Sequence, residues 1–125
     1  MPDYSIEPLL IPLDYQGTEL SNQIIRIKPG TTIVGSDPRS SQSIIIRDPN
    51  VRAKHAVINY FDGFVSVTPL DGLLEVNGVP TTTTERLKDG FVLKVGGQQA
   101  FRFSTNQNKS QQQNYASPIL SRKAE

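Results

Sequence analysis

Four cations, Arg39, Arg47, Arg52 and Lys54, crowd into one short span, with hydroxyls at Ser36, Ser40 and Ser41 beside them. Side chains of this kind donate charge-assisted hydrogen bonds to a phosphate or a carboxylate, and an Arg can do so bidentately. Exposed Arg and Lys are also the ordinary condition of a protein surface. The span therefore reads equally as solvated loop charge and as an anion-binding patch. His55, the only histidine, follows directly. A catalytic His needs a nucleophile and an orienting acid within hydrogen-bond reach. Ser and Asp are so plentiful here that their presence carries no weight. The run His-Ala-Val-Ile (55–58) puts the imidazole at a strand start, where a hydrogen-bonded structural role is expected. One His and no Cys give no metal-ligand spacing. No catalytic residue, metal or cofactor is expected.

The elements that must position these residues are strands. Apolar residues alternate along the chain, and Gly, Asp, Asn and Pro interrupt them every few residues. Ile24–Lys28 and Thr31–Gly35 flank Pro29-Gly30 and read as a hairpin. Leu9–Leu13, which follows Pro8 and contains Pro12, reads as an edge strand or packed arm. Ser43–Arg47 reads as a short buried strand, and His55–Phe61 and Phe64–Thr68 as a hairpin about Asp62-Gly63. Leu74–Val76 leads into Asn77-Gly78, a strong type I′ turn signal that explains both residues without a ligand. Phe91–Val95 and Phe101–Phe103 are strands with one buried face, Thr81–Thr84 is an exposed connector, and Glu85–Asp89 offers at most one helical turn. Leu73 and Leu74 cannot both face the same side of a sheet, so one of them is expected on the surface.

With 125 residues, the chain holds one domain with a real core. The apolar fraction of 36% is low for a wholly packed chain. Asn106–Glu125 is rich in Gln, Asn, Ser and Lys and is expected to be a disordered tail, holding Ser117-Pro118 as a proline-directed phosphorylation candidate. Residues 24–103 carry ten basic and seven acidic side chains, too slight an excess for a nucleic-acid surface. No apolar run approaches bilayer length, and the absence of cysteine fits an intracellular setting.

The order of landmarks resembles a forkhead-associated (FHA) domain: Gly35 after a strand, His55-Ala56 opening a central strand, Asn77-Gly78, Gly90, Val95-Gly96 and Phe101-Arg102-Phe103. The ending, with Val67-Thr68-Pro69, is similar to the divergent branch in kinesin-3 motors, afadin and pleckstrin-homology-like family B proteins. The resemblance implies an all-β sandwich of about eleven strands with little or no helix, whose loops at one end bind phosphothreonine peptides. It also implies that His55 braces those loops. The family's phosphate-contacting Arg after the glycine falls on Ser36, its Ser three residues before the His falls on Arg52, and its next Arg falls on Ala53. Its peptide-contacting Asn falls on Gly72, with Leu73 next. Scaffold residues match and most phosphate contacts do not.

The resulting expectation divides the chain into an arm (1–19), an FHA-like domain (20–105) and a tail (106–125), excised from a longer protein. The domain is a non-catalytic interaction module. It binds a phosphothreonine or acidic peptide through Ser36, Arg39, Arg47, Arg52, Lys54, Gly72 and Leu73, using a partly degenerate phosphate site. Gly35, His55, Asn77 and Gly78 are structural landmarks. Phosphorylation-independent binding or weak homodimerisation is the alternative, and an enzyme using His55 is a distant one. Nucleic acid and membrane insertion are not expected.

Overall fold

A computed structural model describes residues 7–37, 39–97 and 99–105, and the terminal stretches 1–6 and 106–125, including the expected tail, lie outside the described residues. Period-two alternation builds eleven strands: β1 (Leu9–Leu13), β2 (Ile25–Arg26), β3 (Gly30–Gly35), β4 (Ser43–Ile45), β5 (Ala56–Phe61), β6 (Phe64–Pro69), β7 (Leu74–Val76), β8 (Val79–Pro80), β9 (Glu85–Leu87), β10 (Val92–Val95) and β11 (Gln99–Ser104). One 3₁₀ turn, Ser21–Gln23, is the sole helical element among the described residues. The strands form two sheets, in the orders β2-β1-β11-β10-β7-β8 and β4-β3-β5-β6-β9.

Both sheets turn one face inward. Leu10, Leu74, Leu93, Val95, Phe101 and Phe103 come from the first, and Val34, Ile44, Ile58, Val65, Val67 and Leu87 from the second. Type I′ turns with positive φ join β5 to β6 (Asp62 54°, Gly63 79°) and β7 to β8 (Asn77 53°, Gly78 79°). The Asn77 side chain also accepts from the Val92 amide at 2.8 Å, so the turn is stapled to β10.

Four local expectations give way. The hairpin across Pro29-Gly30 does not form: β2 pairs with β1, while β3 lies in the opposite sheet. A turn pair dictates a change of direction but not which sheet receives the next strand. Here Ile27 and Val34 both reach the core only if the chain crosses over. Gln42 ties the crossing down, its Nε2 lying 2.9 Å from Thr32 Oγ1 and 3.2 Å from the Thr31 carbonyl. The proline-flanked β1 is no edge strand or arm, for it runs between β2 and β11. Pro12 is tolerated because its nitrogen faces away from β11, where β2 has already ended; its own carbonyl on that side accepts from Leu20. Glu85–Leu87 is a strand beside β6 and not a helical turn, because Leu87 opposite Val65 fills the core. The Ser43–Arg47 run is only partly buried, since β4 is an edge that hides Ile44 and Ile46 but exposes Ile45.

Phe103 is fully enclosed at 0% exposure. Phe103→Ala is expected to destabilise the fold by about 3–5 kcal/mol, read from the denaturant midpoint. A loss below about 1 kcal/mol would show that this ring is not the packed centre.

Candidate functional site: a loop end knitted by a buried histidine

Strands β3, β4 and β5 bring their connections to one end of the sandwich. Gly35 closes β3 there, and the carbonyl of Gly35 accepts from Ile46 at 2.9 Å. The Ser36 amide donates to the Arg52 carbonyl at 2.9 Å and the Asp37 amide to the Ala53 carbonyl at 3.2 Å. No side chain fits at position 35, because a Cβ would stand 2.0 Å from the Ala53 oxygen. The glycine is thus what lets the two loops touch through their backbones.

His55 sits at the centre of this end with 0% exposure. Its Nδ1 accepts from the Arg52 amide at 2.9 Å. That assignment leaves the proton on Nε2, which donates to the Leu73 carbonyl at 2.6 Å. Its main-chain carbonyl accepts from the amides of Leu70 and Asp71, and its amide donates to Val34. One residue therefore binds the 46–55 and 70–73 loops to each other and to β3. Gly72 lies against the ring, where a Cβ would meet His55 Cε1 at 2.5 Å and Arg52 Cγ at 3.0 Å. Both ring nitrogens are committed, so His55 offers no group to a substrate, and the enzyme reading built on it has no free base.

Around this brace the side chains differ in their surroundings. Ser36, Arg52 and Gly72 are brought together, and Leu73 follows at the rim. Leu73 is 46% exposed while Leu74 is buried, as their opposite positions require. Arg52 and Lys54 are exposed and make no ion pair among the described residues. Arg39 is partly neutralised by Asp37 at 3.0 Å. Arg47 opens onto a different groove, beside Pro12, Gln23, Gln99 and Phe101. Ser41 leaves the loop end altogether. Because β3 and β4 are parallel, the connection from 36 to 42 must return along β3, and it sets Ser41 beside Lys28 and Thr32.

One residue escaped the sequence reading. Leu70, 51% exposed, lies in the same loop as Leu73, which His55 anchors at both ends. The signal was its place just beyond Pro69, where strand alternation no longer assigns an inward face. Among the described residues no group of three or more His, Cys, Asp or Glu is placed to hold a metal, and no helix is long and apolar enough to cross a membrane.

Two packed sheets with their loops pinned at one end define a small β-sandwich domain. The chain belongs to the FHA domain family, whose profile matches residues 32–96. It is 30% identical over 99 residues to the kinesin-like protein KIF16B of Homo sapiens, covering 78% of this chain and 8% of that protein's length. Solved structures share the fold: the FHA domain of the CT664 protein from Chlamydia trachomatis has a TM-score of 0.65 at 24% identity, covering 88% of this chain and 99% of that one. EmbR of Mycobacterium tuberculosis, in complex with a low-affinity phosphopeptide, has a TM-score of 0.69 at 17% identity, covering 82% of this chain and 25% of that one. The family is one of interaction modules and not of catalysts.

Replacing His55 by Ala orphans the Arg52 amide and opens a void in the fold, while the Leu73 carbonyl keeps its bond from the Gly96 amide. His55→Ala is expected to cost about 2–5 kcal/mol and to speed exchange of the Arg52 amide hydrogen. Unchanged exchange at Arg52 would show that the imidazole does not hold this loop.

Proposed function

We propose that the loop end binds a phosphothreonine or acidic peptide, with Arg52 supplying the principal anion contact. The observation that carries this reading is the state of Arg52. Its amide and carbonyl are fixed by His55 and Ser36, while its guanidinium is exposed and unpaired among the described residues. Because the main chain that bears it is already held, binding an anion orders only the Arg52 side chain and not the loop, which lowers the cost of association. Lys54 adds charge, Ser36 adds a hydroxyl, and Gly72 keeps the floor of the site low enough for a peptide to lie against it. The phosphate site is partly degenerate relative to the family pattern, because Ser36 and Ala53 stand where arginines are expected.

Solved relatives support the ligand class. One was studied for phosphothreonine-dependent FHA domain interactions, and another is an FHA domain complexed with the intracellular domain of Rv3910. Their identity of 19% carries the fold alone, so the ligand is inferred from this chain's own residues. The kinesin-like relative supports an intracellular, cytoskeleton-associated setting. A second reading has its own observation. Leu70 and Leu73 are both about half exposed beside the unpaired cations, a surface that fits an acidic, apolar peptide without phosphate.

Calorimetric titration with a phosphothreonine peptide library and its unphosphorylated counterparts separates the readings. Wild type is expected to prefer the phosphorylated form, and Arg52→Glu to weaken it at least tenfold, about 1.4 kcal/mol. Equal binding of both peptide forms favours the phosphate-independent reading. Identical binding by wild type and Arg52→Glu, or none by either, removes phosphate recognition by this residue.

A further inference from the structure

Four strands end the two sheets, and among the described residues three of them are blocked against further pairing. β2 is two residues long and ends in Arg26, which is ion-paired with Glu7. β8 contains Pro80, which has no amide hydrogen to give. β9 carries the exposed charges Glu85 and Arg86, the latter stacked 3.9 Å over the Phe64 ring. Short length, proline and charge are the usual protections of a sheet edge. The fourth edge, β4, lacks charge and proline. It reads Ser43-Ile44-Ile45 and continues through Ile46 before Arg47 supplies the first charge.

The hydrogen-bond pattern shows which groups of this edge are free. In the parallel pairing with β3, Gln42 gives its carbonyl to Ile33 and Ile46 gives its amide to Gly35. The main chain of Gln42 and Ile44 and the amide of Ile46 therefore face β3, and the main chain of Ser43 and Ile45 faces outward. The Asp48 amide donates to the Ile46 carbonyl at 3.2 Å and turns the chain at Arg47. Ile45 also presents its side chain at 52% exposure.

We infer that β4 is a docking edge for a second copy of this chain, paired antiparallel about a two-fold axis through Ile45. This register sets Ile45 against Ile45 of the second copy and Ser43 against its Arg47. Ile45 faces outward on both copies, so the central pair can exchange both its N–H···O bonds. Apolar side chains meet at the axis, and no like charges stand opposite one another. The neighbouring registers are worse. Centring on Arg47 sets two guanidiniums face to face, and centring on Ser43 places Ile45 opposite Ser41, beyond the strand. An isologous pairing of this kind closes on itself and stops at two copies. The shortness of β4 keeps the association weak and concentration-dependent. The edge does not use the Arg52 guanidinium, so it stands or falls separately from the peptide site.

Sedimentation equilibrium of the full chain over a concentration series tests this, with Ile45→Lys and Ile45→Glu as paired variants. Wild type is expected to pass from monomer to dimer, each variant to stay monomeric at the same concentrations, and an equal mixture of the two variants to form a heterodimer. Only a contact in which position 45 faces itself restores pairing by opposite charges, and the rescue requires both variants to be folded. Arg52→Glu is expected to dimerise like wild type. Wild type remaining monomeric at its solubility limit, variants that dimerise as wild type does, a mixture that stays monomeric, or assemblies larger than a dimer would each overturn the inference.

Discussion

The hydrogen bonds that His55 makes in the interior are the constraint on which this loop end depends. Loops 46–55 and 70–73 carry few apolar residues that reach the core, so hydrophobic burial alone does not fix them. Ile46 and Val51 are the exceptions, Val51 packed into the core beside Gly96. What remains is polar: the Arg52 amide donates to Nδ1, Nε2 donates to the Leu73 carbonyl, and the Leu70 and Asp71 amides donate to the histidine's carbonyl. The amides of Ser36, Asp37 and Gly96 reach the carbonyls of Arg52, Ala53 and Leu73. A buried polar network specifies one geometry when every member is satisfied and is costly when one is missing. Here every imidazole nitrogen has a partner.

The glycines at this end are consequences of the same arrangement. Gly35 lets the Arg52–Ala53 backbone lie against β3, and Gly72 lets a loop close over the imidazole. Adding a methyl group at either position collides with backbone or ring. The side chains left at the rim, Arg52 with Leu70 and Leu73, are presented by rooted main chain. Positioning of this kind is what a loop-borne recognition site requires, because scaffold rigidity and loop variability are then separate.

Much of this was legible in the sequence. The alternation around Ile58, Val65, Val67, Leu93 and Phe103 has a single physical solution, a strand with one buried face, and the order of Gly35, His55 and Asn77-Gly78 named the family. The juxtaposition of 36, 52 and 72 followed from that resemblance, and the hydrogen bonds and close approaches place them together. What resisted reading was long-range. Pro29-Gly30 looks the same whether it turns a hairpin or crosses between sheets, because the choice depends on where Ile27 must be buried. The parallel partnership of β3 and β4 has no local signature, yet it decides that Ser41 leaves the loop end while Ser36 stays. Leu70 and Ile45 are apolar residues on the surface; Pro69 ends the alternation just before Leu70, while nothing in the types of Ile45's neighbours announces its exposure.

The most direct examination of this account is the nitrogen-15 spectrum of the His55 imidazole, with through-bond coupling across the hydrogen bond from the Arg52 amide. A neutral ring protonated on Nε2, coupled through Nδ1 to the Arg52 nitrogen, is the predicted result. A ring protonated on Nδ1, or one with no coupling to Arg52, would contradict the claim that this histidine holds the 46–55 and 70–73 loops in place.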